Sequence, residues 1–197
     1  MSITLVSGVT GVGLSSVCQA VRSTLDDDYK LINFGDVMLE QAATSGITTD
    51  RSELATLSQT QTRRLQRRAG EFVADEAAQT NVILSTHLAV ETDVGYVQGL
   101  PEEVLQDVSP TAFILVEADP GTILDRRDAS DKALPTATER KIPFEQHLKH
   151  TTAPQYAPDK NAPVQSLENQ SSSENAAQHM AEKPQATTSG TLHCSHR

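Results

Sequence analysis

A short apolar run, Ile3–Val6, leads into Gly8-Val9-Thr10-Gly11-Val12-Gly13-Leu14-Ser15-Ser16, and this leads into Val17, Val21 and Leu25, spaced four apart on one helical face. The order strand, glycine-rich loop, helix constrains this chain more than any other feature. Gly8, Gly13 and Ser15 stand at the spacing of the phosphate-binding pattern G-x-x-x-x-G-K-[ST], with Leu14 where the lysine belongs. Glycines let successive backbone N–H groups turn inward on an anion, and the following helix adds the partial positive charge of its N-terminus. The Ser15 hydroxyl is placed to meet a Mg2+ carried by the phosphates. What Leu14 takes away is a mobile charge on the transferring phosphates. A plain strand-to-helix turn with no ligand is the bland alternative. Three glycines, two serines and the flanking elements together favour a nucleotide site formed by Gly8, Val9, Thr10, Gly11, Val12, Gly13, Leu14, Ser15 and Ser16.

Strand and helix patterns alternate along the rest of the chain. Strands are predicted at residues 3–7, 30–33, 82–84, 112–116 and 162–167. Helices are predicted at 15–27, 37–43, 57–78, from Pro101 to Val108, from Asp119-Pro120 onward, at 138–156 and at 173–182. Asp50 followed by Glu53 three residues on has the form of a capping box opening a helix. Five strands separated by helices imply an α/β fold: a five-stranded parallel sheet with helices on both faces. Ligands of such sheets bind at the carboxyl ends of the strands. That rule gathers the Gly8–Ser16 loop, Phe34-Gly35-Asp36, Ser85-Thr86-His87 and Glu117-Ala118-Asp119. Taken singly, Asp36 and Asp119 read better as helix caps than as site residues.

Composition narrows the partners. The 197 residues suit one domain, with 184–197 an unstructured, polar tail. Net charge is −10, which argues against nucleic acid as a general partner. Only six of the 16 basic residues are lysines, a balance that fits a salt-rich cytoplasm or an ordinary acidic protein. Cys18 and Cys194 are the only cysteines, so a reducing compartment is expected and a disulfide is not. His193, Cys194 and His196 lie too crowded in the tail to make a convincing metal site. No signal-peptide pattern opens the chain and no apolar run reaches membrane-spanning length. Arg63, Arg64, Arg67 and Arg68 read as a solvated basic helix face rather than a binding patch.

Gly8-Val9-Thr10-Gly11-Val12-Gly13, Ile32-Asn33-Phe34-Gly35-Asp36-Val37-Met38, Thr86-His87, Gly95-Tyr96 with Gly99-Leu100-Pro101, and Val116-Glu117-Ala118-Asp119-Pro120 occur in this order. The set resembles the archaeal-type adenylate kinases over about residues 1–182. The resemblance implies a single P-loop kinase domain over 1–183, using ATP and Mg2+ to phosphorylate AMP, in a cytoplasmic homotrimer. By the same resemblance the Gly8–Ser16 loop holds ATP, with Ser15 at the metal. An AMP-binding region spans about 32–80, with Asp36, Arg51, Thr86 and His87 as substrate-binding residues. A lid spans about 126–137, and the segment Tyr96–Pro101 orders the core or meets the base of the monophosphate.

Several positions depart from that family pattern. Ala55, the segment Lys132-Ala133-Leu134-Pro135, and His150 stand where arginines are expected, and Ser85 stands where Asp is common. Phosphoryl transfer depends on positioning and charge neutralisation, so such losses bear on rate. Arg51, Arg126, Arg127 and Arg140 remain to face phosphates, with Arg126 and Arg127 expected to be catalytic. Alternatives to an active adenylate kinase are a nucleotide-binding protein with weak catalysis and a kinase for another nucleoside monophosphate.

Overall fold

The computed structural model describes residues 1–23, 28–92, 95–130, 138–156 and 162–170. The predicted helix at 173–182, the tail with its His and Cys residues, and most of the expected lid lie outside the described residues. β1 (Ile3–Gly8), β2 (Tyr29–Asn33), β3 (Asn81–Ser85), β6 (Ala112–Glu117) and β7 (Val164–Glu168) form one parallel sheet in the order β2-β3-β1-β6-β7. The glycine loop therefore leaves the central strand.

Side chains alternate across a strand, and this divides the core in two. Leu5, Leu84, Phe113 and Leu115 face a core shared with α2 (Phe34–Thr44), α3 (Gln59–Gln79) and α4 (Glu102–Val108). Val6, Ile83, Ile114 and Val116 face the other side, packing with Val17 and Val21 of α1 (Leu14–Arg22) and Ile123 of α5 (Pro120–Asp128). The last helix described, α6 (Lys141–Gln155), contributes Ile142 to one core and Ala153 to the other. Pro143 sits in its first turn, where no intrahelical N–H bond is lost.

Helix starts follow local side-chain chemistry. Asn33 caps α2 by accepting the Asp36 N–H at 3.1 Å, so Asp36 is in the first turn and is not the cap. The capping box expected at Asp50 and Glu53 does not form. Asp50 instead accepts the Ser52 N–H and hydroxyl, Glu53 pairs with Thr48, and Ser52–Thr56 is one turn of 3-10 helix. The capping box belongs to Ser58 and Gln61 and starts α3 two residues later than the apolar pattern implies.

One element has no counterpart in the sequence reading. β4 (Ala89–Thr92) and β5 (Gly95–Gln98) pair as an antiparallel ribbon. Its base is locked at Gly99, where an added Cβ would lie 1.7 Å from the His87 carbonyl oxygen. Gly99 donates its N–H to Leu88 O, and Gln66 reaches Gly99 O from α3. The expected core-ordering part of the Tyr96–Pro101 segment thus has a physical form.

Candidate functional site at the carboxyl ends of the strands

The loop after β1 is held from three directions. Gly11 and Gly13 have φ of 86° and 84°, a left-handed conformation that disfavours any side chain. Val12 N–H bonds to Val9 O, and Gly13 closes the loop as the N-cap of α1. Two side chains converge on the Val12 carbonyl: Asn169 Nδ2 at 2.8 Å and Arg126 Nη1 at 3.1 Å. Arg126 also donates to Asn169 O and Gln170 O, so it stitches the loop to the end of β7. Leu14 turns toward the Val17–Val21 side, packing partly against the core, while Ser15 and Ser16 are exposed at the helix start.

Arg127 lies under the loop, only 7% exposed. Its Nε donates to Thr10 O at 2.7 Å and its Nη2 to Glu145 Oε2 at 3.1 Å. Its Nη1 is buried and, among the described residues, has no hydrogen-bond partner. A buried guanidinium donor left open is costly, and an anion is what would complete it. Glu145 in turn accepts from Tyr96 at 3.1 Å, tying α6 to the ribbon.

These groups line a cavity of about 170 Å³, with Val9, Thr10, His87, Tyr96, Arg127 and Lys149 among its walls. Burial pushes the Lys149 ammonium down to about 8, partly opposed by Glu145. His87 is held below the ordinary imidazole range by the protein around it first, then by the Lys149 and Arg51 charges, although the residue keeps an exposed surface.

Among the residues expected at the site, Val9, Thr10, His87 and Arg127 meet at this one cavity. Thr86 is buried and donates its N–H to Val6 O, which fixes the turn that presents His87. Arg51 pairs with Asp36, so these two come together at the first turn of α2, with the Arg51 charge felt at His87. Arg140 is exposed at the start of α6, and His150 pairs with Glu117 at the end of β6. Of the basic run on α3, Arg67 pairs with Glu71 and Arg68 reaches Ser45.

Sequence reasoning missed Glu145, Lys149 and Asn169. The strand-end rule that gathered the other segments, applied to the last strand, points to Asn169. Lys149 stands seven residues after Ile142, on the buried side of α6, and a lysine on an apolar face was a readable signal.

Comparison with known proteins places this geometry. A family model described as an AAA domain matches residues 7–142. The adenylate kinase of Pyrococcus abyssi is 33% identical over 168 residues, covering 85% of this chain and 86% of that protein. The adenylate kinase of Methanothermobacter thermautotrophicus is 33% identical over 171 residues, 86% of this chain and 91% of its own. Among solved structures, shikimate kinase from Bacteroides thetaiotaomicron superposes with a TM-score of 0.60 at 15% identity, covering 93% of this chain and 98% of that one. Shikimate kinase from Aquifex aeolicus gives 0.56 at 14% identity, covering 97% and 100%. The structural likeness concerns the fold, and the sequence likeness extends over most of the chain and of its relatives: this chain belongs to the archaeal adenylate kinase family.

Proposed function

We propose that the protein is an ATP:AMP phosphotransferase, converting ATP and AMP reversibly into two ADP. The supporting observation is the Gly8–Ser16 loop, held at the centre of the sheet beside a buried guanidinium with an open donor. In this reading the loop N–H groups and the start of α1 bind the ATP phosphates. An oxygen of the acceptor monophosphate attacks the γ-phosphorus as the bond to the β–γ bridging oxygen breaks, leaving two diphosphates. Arg127 Nη1 faces the phosphates, while its other contacts, and those of Arg126, fix the loop. Mg2+ fits as a companion of the phosphates, with the exposed Ser15 hydroxyl as an oxygen ligand, and would supply charge neutralisation there. Asp36 and Arg51, within a region spanning 32–80, form the acceptor side together with Thr86 and His87. The expected lid, about 126–137, would exclude water; its first residues, 126–128, belong to α5, and 131–137 lie outside the described residues. The expected assembly is a cytoplasmic homotrimer, which light scattering on the purified chain checks.

The test is a coupled assay with ATP, Mg2+ and a panel of nucleoside monophosphates, at low and high salt. ADP formation dependent on AMP, at about 1–100 turnovers per second, supports the reading. ATP binding without phosphorylation of AMP would shift it to a nucleotide-binding protein, or to a kinase for whichever acceptor in the panel responds.

A further inference from the structure

Lys149 differs from the other lysines whose surroundings are described. Lys30 pairs with Glu76 and Lys141 with Glu91, both at 2.7 Å and both partly exposed. Lys149 is 6% exposed, and among the described residues it has no ion-pair or hydrogen-bond partner. Burying an ammonium without a partner is expensive, so such a group marks a place where an anion arrives. Among the described residues only the charge of Glu145, one helical turn away, acts on it, without a direct contact. Glu145 is engaged by Arg127 and Tyr96, and Glu91 by Lys141. The wall also carries Glu91 and Glu145, but Arg127 pairs with Glu145 and Lys141 with Glu91, so Lys149 is the wall cation left without an ion-pair partner among the described residues.

The wall opposite α6 is the loop itself, through Val9 and Thr10. The loop lysine is replaced by Leu14, whose side chain packs partly into the core. We propose that Lys149 supplies from α6 the phosphate-facing ammonium that the loop lacks, contacting the phosphoryl group that passes between the nucleotides. This inference rests on the kinase reading for its substrate. It makes the lysine-free loop part of a relocated charge set.

The test uses the full chain and inorganic tripolyphosphate with Mg2+ as the probe, followed by ATP and AMP. Lys149→Met keeps length and apolar volume and removes the charge. We expect it to melt no lower than the wild type, to bind tripolyphosphate about 10-fold more weakly, and to turn over about 100-fold more slowly. Unchanged probe affinity and turnover in a folded variant would overturn the proposal. Acylation of wild-type lysines, mapped by mass spectrometry, covers the case of a variant that does not fold. Tripolyphosphate should slow modification of Lys149 several-fold and leave Lys30 unaffected; equal rates at Lys149 with and without the probe would refute the contact. If the wild type does not phosphorylate AMP but probe binding and protection respond as expected, the acceptor assignment fails and Lys149 stands. If it does phosphorylate AMP and neither responds, only the Lys149 proposal fails.

Discussion

The buried ammonium of Lys149 should leave a measurable mark on the pH dependence of stability. Burial lowers it from the ordinary 10.5 to about 8. That gap corresponds to roughly 3 kcal/mol of destabilisation in the ligand-free fold. Below pH 8 both folded and unfolded chains hold the proton, and the full cost is present. Between pH 8 and 10.5 the folded chain releases the proton while the unfolded chain keeps it, so stability attributable to this group rises with pH across that window. His87 shares the cavity but, held below its usual range, has already lost its proton, and Tyr96 on the same wall is pushed up to about 12 by burial. Cys18, pushed up to about 11 by burial, and the raised Tyr156 phenol act in the opposite direction, but they are present in wild type and variant alike. Urea unfolding of wild type and Lys149→Met at half-unit steps from pH 7 to 10.5 isolates the effect as a difference. The variant should be more stable at pH 7 by up to about 3 kcal/mol, less whatever packing it loses, and the two curves should converge toward pH 10.5. Curves that stay parallel would show that Lys149 carries no buried-charge penalty, and the reasoning that makes it an anion-seeking group would fail.

Three further outcomes follow from the same contacts. Gly13→Val puts a Cβ 2.6 Å from Asn169 Nδ2 on a left-handed backbone, so calorimetry should show ATP binding abolished, and unchanged affinity would refute the site. Glu145→Gln leaves the buried Arg127 guanidinium without its counter-charge and should cost about 3 kcal/mol in denaturant unfolding, with a loss under 1 kcal/mol contradicting the burial argument. Ser58→Ala removes the α3 capping box and should cost about 1 kcal/mol of stability while leaving ATP affinity intact.

Much of this architecture is legible in the sequence because it rests on local periodicity. The Ile3–Val6 run, the glycine spacing and the helical spacing of Val17 and Val21 are all short-range signals, and β1, the loop and α1 appear where they place them. The β4–β5 ribbon was not legible, because Val90, Glu91 and Thr92 are exposed, as are Gly95, Val97 and Gln98, and no inside–outside alternation is left to read. The start of α3 was misread because Asp50 and Glu53 imitate a capping box while bonding to Ser52 and Thr48. The chemistry around Arg127 depends on contacts made across the chain, with Thr10 and with Glu145. Nothing in the neighbourhood of residue 127 announces either partner. Family resemblance drew attention to the arginines that are missing, whereas the fold places a buried lysine, Lys149, at a cavity walled by the glycine loop.

The decisive reaction is transfer of the γ-phosphoryl group itself. With γ-32P-ATP, unlabelled AMP and Mg2+, label should appear in the β-position of ADP, at a rate that depends on AMP. Label that stays in ATP, or leaves only as inorganic phosphate whether or not AMP is present, would contradict it.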